Sequence, residues 1–290
     1  TEYVKKGENV MLELSSISDA SHSSRIRFFR NLAAINYHSA AHDFEKAEKF
    51  AGQLLSSVEK DRIVLSRSNR AGANMELANV YLNMGKYDRA VEYATKAAGL
   101  FKTGMINQLN AYILLFFSYF RNKQFSEAED VLRMSQNHRL VKHRINPMMH
   151  SRVHLLRAAF TFFQGDVEQS SRILNRNTEP DRDKDGWMPG FYMLDLLILM
   201  EKKAVELASY RLEAFRKMIR RYQVCQREMR LPVITSILKD IVKNDFDFRN
   251  VLPAHEPEIK KLSEAREQYY WNPAGYEVIR FDEWLMRKVS

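Results

Sequence analysis

The sequence predicts an all-α protein: an α-solenoid of about five helical hairpins followed by a C-terminal helical cap. Three observations predict it. Residues 71–98, AGANMELANVYLNMGKYDRAVEYATKAA, read as two amphipathic helices joined by a tight turn. The same pattern of an apolar residue just after a turn, with a small residue three positions later, recurs along the chain. Composition agrees, since 45% of the 290 residues are hydrophobic, only 10 are Gly and 7 Pro, and no strand-rich block is evident.

In chain order, residues 1–24 are expected to form a partial helix and a polar linker, SISDASHSS, ahead of a repeat array over 25–224. Within the array the second hairpin is clearest. Leu77, Ala78 and Tyr81 share one helical face, and Ala90, Ala94 and Ala97 form a small-residue stripe that lets two helices approach closely. Gly85 suits the positive φ of a helix C-terminal cap, and Asp88 is placed to help cap the following helix. Aligned on the residue after the turn, the units begin their second helices at Phe44, Tyr87, Phe125, Val167 and Val205, at intervals of 38 to 43 residues. Three positions on stand Ala47, Ala90, Ala128, Ser170 and Ala208, small every time. Ser126 with Glu129 and Asp166 with Gln169 have capping-box spacing. Residues 225–290 leave the pattern and are expected to cap it. LPVITSILKDIVKN, PEIKKLSEAREQYY and the segment GYEVIRFDEWLMRKVS read as helices, and Trp271, Phe281 and Trp284 are assigned to cover the last hairpin.

Residues 71–98 resemble a tetratricopeptide (TPR) unit, with Leu77, Ala78, Tyr81, Gly85, Tyr87, Ala90 and Ala97 at that family's core positions. The intervals exceed the roughly 34 residues of the standard unit, so helices or inter-repeat loops are longer. The resemblance implies a right-handed solenoid acting as a non-catalytic scaffold or adaptor, with a protein or peptide segment held in a concave groove lined by the first helix of each hairpin. Carried over residue by residue, the groove positions are Asn36, Asn79, Asn83, Asn110, Arg121 and Arg152. An asparagine amide both donates and accepts, which suits an extended peptide backbone. The lysine that grips acidic C-termini in carboxylate-clamp members is replaced by Leu32, with Met75 and Ile113 at the matching places. An apolar floor is therefore expected, with Phe117, Phe120 and Phe162 weighed as floor and favoured as core. A third reading is a resemblance to bacterial TPR regulators that sense short peptides, although no helix-turn-helix DNA reader is evident.

The net charge of +9 bounds partners without naming them. Seven basic residues, Arg211, Arg216, Lys217, Arg220, Arg221, Arg227 and Arg230, face only Glu213 and Glu228 in one short stretch. Leu212, Phe215, Ile219 and Tyr222 form its apolar stripe. The second-ranked function is accordingly a nucleic-acid- or other polyanion-binding regulator using Arg216, Lys217, Arg220, Arg221 and Arg227, with HRLVKHR at 138–144 as a further basic cluster.

Other chemistry finds little footing. DRDKDG at 181–186 opens like a calcium loop through Asp181, Asp183, Asp185 and Gly186, but Tyr192 stands where the closing bidentate glutamate belongs. The pairs His38/His42 and His150/His154 have zinc-ligand spacing without the HExxH glutamate. GLFKTG at 99–104 lacks the Lys and Ser or Thr of a phosphate loop. Cys225, the one cysteine, has no evident base partner. No enzyme activity, cofactor, metal site or transmembrane segment is expected, and a cytoplasmic location is.

Overall fold

The computed structural model describes residues 7–10, 12–14, 16–17, 23–176, 186–222 and 229–289, without the side chains of 221, 222 and 289. It forms two compact units, Thr1–His143 and Arg144–Ser290. The described secondary structure is helical throughout.

The first unit contains hairpins α1 (Ser24–Ala40) with α2 (Phe44–Lys60), α3 (Arg67–Asn83) with α4 (Tyr87–Leu100), and α5 (Ile106–Arg121) with α6 (Phe125–Asn137), then the short α7 (Arg139–Lys142). The second contains α8 (Pro147–Phe163) with α9 (Val167–Asn175), and α10 (Met188–Glu201) with α11 (Val205–Tyr222). It continues through α12 (Arg230–Lys243), α13 (Phe248–Val251), α14 (Glu256–Glu264) and α15 (Phe281–Val289).

One turn is used five times. The residue two before each second helix has a left-handed backbone: His42 (φ 59), Gly85 (φ 72), Lys123 (φ 61), Gly165 (φ 91) and Lys203 (φ 56). The next residue donates its N–H back across the turn, from Asp43 to the His38 carbonyl, Lys86 to Tyr81, Gln124 to Tyr119, Asp166 to Thr161 and Ala204 to Leu199, at 2.8–3.2 Å. This is the Schellman closure of a helix end, and only two of the five positions carry the glycine that makes it free of strain.

Each turn sets the same packing geometry after it. Ala47, Ala90, Ala128, Ser170 and Ala208 are all completely buried. Ser170 is tolerated among them because its hydroxyl donates to the Ala158 carbonyl at 2.8 Å. Neighbouring hairpins are tied at equivalent places: the Asn122 amide donates to Asp88 at 2.8 Å in the first unit, and Lys202 pairs with Glu168 at 3.0 Å in the second. Being largely solvated, such ties are worth a few tenths of a kcal/mol and set register more than stability.

Two capping expectations change. Asp88 does not cap α4, whose N-cap is Lys86 without a side-chain bond, because its carboxylate is taken by Asn122 of the next turn. Ser126 lies inside α6, whose N-cap is Gln124, so it forms no capping box with Glu129. Asp166 does cap α9, accepting from the Gln169 N–H at 2.9 Å.

After the fifth hairpin the chain closes on itself through a buried ion network. Arg230, 2% exposed, donates from Nε and Nη2 to Glu277 at 2.5 and 2.8 Å and from Nη2 to Asp282 at 2.8 Å. Its Nη1 donates to the Leu262 carbonyl at 2.7 Å. Burial opposes this charge, but the two carboxylates outweigh it and hold the guanidinium fully protonated. Phe281 and Trp284 are buried, and the Trp284 indole N–H donates to Glu201 at the end of α10 at 3.0 Å, so α15 packs on the fifth hairpin. Trp271 is half-buried and donates to the Glu277 carbonyl at 3.3 Å. No described helix is long and apolar enough to cross a membrane.

Candidate functional site

The first helices of the N-terminal unit carry most of the residues assigned to the groove. On α3, Leu77, Ala78, Val80 and Tyr81 turn into the core. That leaves Glu76, Asn79 and Asn83, at i, i+3 and i+7, as a separate stripe along the helix. The Asn83 amide donates to the Asn79 carbonyl at 2.7 Å and to Asn79 Oδ1 at 3.3 Å. The pair is thereby oriented, and Asn79 Nδ2 donates to no partner among the described residues.

Glu76 is the residue that sequence reasoning missed. It is half-buried, and burial holds its carboxyl above the usual carboxylate range. Among the described residues it makes no ion pair or hydrogen bond. A recessed carboxylate without a partner costs stability that a cation from outside the chain would restore. The signal was available, since Glu76 lies one helical turn from Asn79 on the same stripe.

The other assigned residues divide by location. Asn36 is exposed on α1 and Asn110 half-buried on α5. Arg121, at the end of α5, lies over the Phe117 and Phe120 rings at 5.7 and 5.0 Å. Arg152 belongs to the second unit, where its guanidinium stacks 4.2 Å from the Trp187 ring. Leu32 and Met75 are half-buried and Ile113 is buried, while Phe117, Phe120 and Phe162 are core residues.

In the second unit the matching face is covered from within. Residues 276–279 pack against Leu155 and Ala159 of α8 and Met193, Leu194 and Leu197 of α10. The approach is so close that a Cβ on Gly190 would stand 2.5 Å from the Tyr276 carbonyl oxygen. Arg287 of α15 lies over the Phe163 ring at 5.4 Å. The chain's own C-terminal segment therefore occupies that face of the second unit.

The basic stretch is less free than its composition suggests. Arg230 is buried in the ion network, Arg211 pairs with Asp195, and Arg216 pairs with Glu213 at 2.7 Å. Lys217 and Arg220 are exposed on α11 and make no ion pair among the described residues. The Arg221 side chain and Arg227 lie outside the described residues, as do Asp181, Asp183, Asp185 and Cys225. Among the described residues no three His, Cys, Asp or Glu side chains converge on a metal position. His154 Nε2 instead contacts the Ile173 carbonyl at 2.6 Å, and His150 stacks on it with ring centroids 5.7 Å apart.

These features define a helical-repeat protein built from stacked hairpins. No protein-family model matches the chain, and no curated protein matches it. Solved structures do. The Rap conjugation gene regulator of plasmid pLS20, in complex with the Phr* peptide, is 17% identical with a TM-score of 0.64, covering 94% of this chain and 77% of that one. The apo form of RapI is 12% identical with a TM-score of 0.66, covering 92% and 98%. Aspartyl phosphate phosphatase F from Bacillus subtilis is also 12% identical with a TM-score of 0.66, covering 94% and 74%. At these identities the likeness is one of fold.

Proposed function

We propose that the chain is a non-catalytic scaffold, located in the cytoplasm, that holds an extended peptide or protein segment along the first-helix face of its N-terminal unit. The observation that carries this reading is the α3 stripe, a recessed carboxylate without a partner beside an oriented amide pair. An extended backbone alternates donors and acceptors, which Asn79 and Asn83 can meet, with Asn36 and Asn110 on the flanking first helices. Glu76 adds a preference for a basic side chain in the ligand, because a cation offsets its desolvation more strongly than a neutral donor does. Arg121 closes the end of the stripe, and Arg152 makes a separate contact in the other unit. One structure of the same fold holds a peptide, which supports the reading by analogy. Another is named a phosphatase, and at 12% identity it carries no residue role over to this chain.

The test is retention of peptides from a random hexapeptide pool by the immobilised chain. Wild type should enrich peptides containing Lys or Arg, and the Asn36→Ala, Asn79→Ala double variant should lose them while its helical circular dichroism stays unchanged. Equal retention by the double variant would reject the assignment.

A further inference from the structure

A cavity of about 940 Å³ in the N-terminal unit is lined by the α4–α5 connection, the first turns of α5 and the end of α6, and by no residue of the α3 stripe. Two of its lining residues are almost completely buried, Gln108 at 6% exposure and His138 at 7%. Each has its acceptor atom committed to the backbone. Gln108 Oε1 accepts from the Gly104 N–H at 2.9 Å, and His138 Nδ1 accepts from the Leu140 N–H at 3.3 Å.

Those two bonds fix what remains. An imidazole whose Nδ1 accepts carries its proton on Nε2, and an amide whose oxygen accepts turns its NH₂ the other way. Burial, reinforced by the Arg139 charge, lowers the His138 pKa and keeps the ring neutral, with the Met105 carbonyl opposing. That carbonyl is already used by the N–H groups of Gln108 and Leu109, at 3.1 and 3.3 Å. Among the described residues His138 Nε2 is buried and makes no well-formed hydrogen bond beyond the influence of that shared carbonyl, and Gln108 Nε2 donates to no partner. One buried donor with only a shared carbonyl near it, and a second that donates to nothing, leave this cavity able to take an acceptor from outside the chain.

The surroundings specify the acceptor's charge. Lys102 and Arg139 stand at the rim, exposed and without an ion pair among the described residues. The acidic lining residue, Asp130, is already paired with Arg133. Met105 and Met134, both about half exposed, and Tyr112, whose ring meets that of His138 edge-on at 6.5 Å, supply apolar walls. Two N–H donors within an excess of positive charge favour an oxyanion, and the walls favour an apolar body attached to it.

We propose that this cavity binds a small apolar molecule bearing a single oxyanion, carboxylate or phosphate, with Gln108 and His138 donating to the oxyanion and Lys102 and Arg139 drawing it in. This site is independent of the peptide-binding reading.

Octanoate, octyl phosphate and octanamide serve as probes for titration calorimetry on the full chain. Octanoate, octyl phosphate or both should bind saturably, and which of them binds more tightly identifies the headgroup. Octanamide should bind at least tenfold more weakly. The Lys102→Ala, Arg139→Ala double variant changes only exposed side chains and should lose at least tenfold in affinity. In ¹⁵N-histidine spectra the His138 Nε2–H resonance should move downfield with the bound probe, a readout that does not require the buried His138→Phe variant to fold. Absence of saturable binding by both anions, equal binding of octanamide, an unaffected double variant or an unmoved His138 resonance would each overturn the proposal.

Discussion

Replacing Arg230 by Met should cost about 3 kcal/mol of stability. Removing one partner of a buried ion pair typically costs about 3–5 kcal/mol, because the remaining charge stays out of water without compensation. Here Glu277 and Asp282 are 3% and 4% exposed. The stranding is incomplete, which favours the lower end of that range: Asp282 keeps Arg280, whose Nε lies 3.0 Å away, and Glu277 still accepts from the Phe281 N–H at 2.8 Å. For a domain of this size about 3 kcal/mol lowers Tm by about 6–12 °C. Scanning calorimetry with urea unfolding measures it. The Arg230→Met, Glu277→Leu double variant should recover most of the loss, since an apolar pair needs no charge compensation. A single-variant loss below about 1 kcal/mol, or a double variant no better than the single, would refute the view that Arg230 holds the C-terminal segment through buried charge.

Three further outcomes follow from the same geometry. Lys123→Gly relieves a left-handed residue and should stabilise the first unit by about 0.5–1 kcal/mol, the strain removed exceeding the added unfolded-state entropy, and chemical denaturation checks it. Gly190→Ala places a Cβ 2.5 Å from the Tyr276 carbonyl oxygen, so it should destabilise by about 1–3 kcal/mol and expose the C-terminal segment to limited proteolysis. Burial lowers the pKa of His38, His42, His138 and His154, so below about pH 6.5 the unfolded chain binds more protons than the folded one. Stability contributed by these neutral histidines is therefore complete above that pH and lost on acidification, and Tm should fall from pH 7.5 to 5.5.

Much of the fold was legible because it depends on one local rule. Phe44, Tyr87, Phe125, Val167 and Val205 each begin a second helix, and the small residue three positions on is always buried, since close helix approach leaves no room for more. The turns were less legible. His42, Lys123 and Lys203 adopt a conformation that composition associates with glycine, because the helices on either side impose it. Arg230 was counted among the seven basic residues of one stretch, and nothing local marks it as buried when its partners lie 47 and 52 residues away. The groove was read from a repeat template, which supplied Asn79 and Asn83. Neither the isolation of Glu76 nor the cover over α8 and α10 is a property of local sequence. Both depend on what the rest of the chain brings near.

The most direct measurement compares two labelled hexapeptides taken from the retained pool, one with its Lys or Arg and one with Leu in its place, against wild type and Glu76→Gln. Fluorescence anisotropy should show wild type preferring the basic peptide by at least tenfold and Glu76→Gln losing that preference. The variant should also be the more stable protein, by about 1 kcal/mol at pH 7, having lost a recessed charge without a partner. An undiminished preference in Glu76→Gln would contradict the account, because the cation would then be read somewhere other than the α3 stripe.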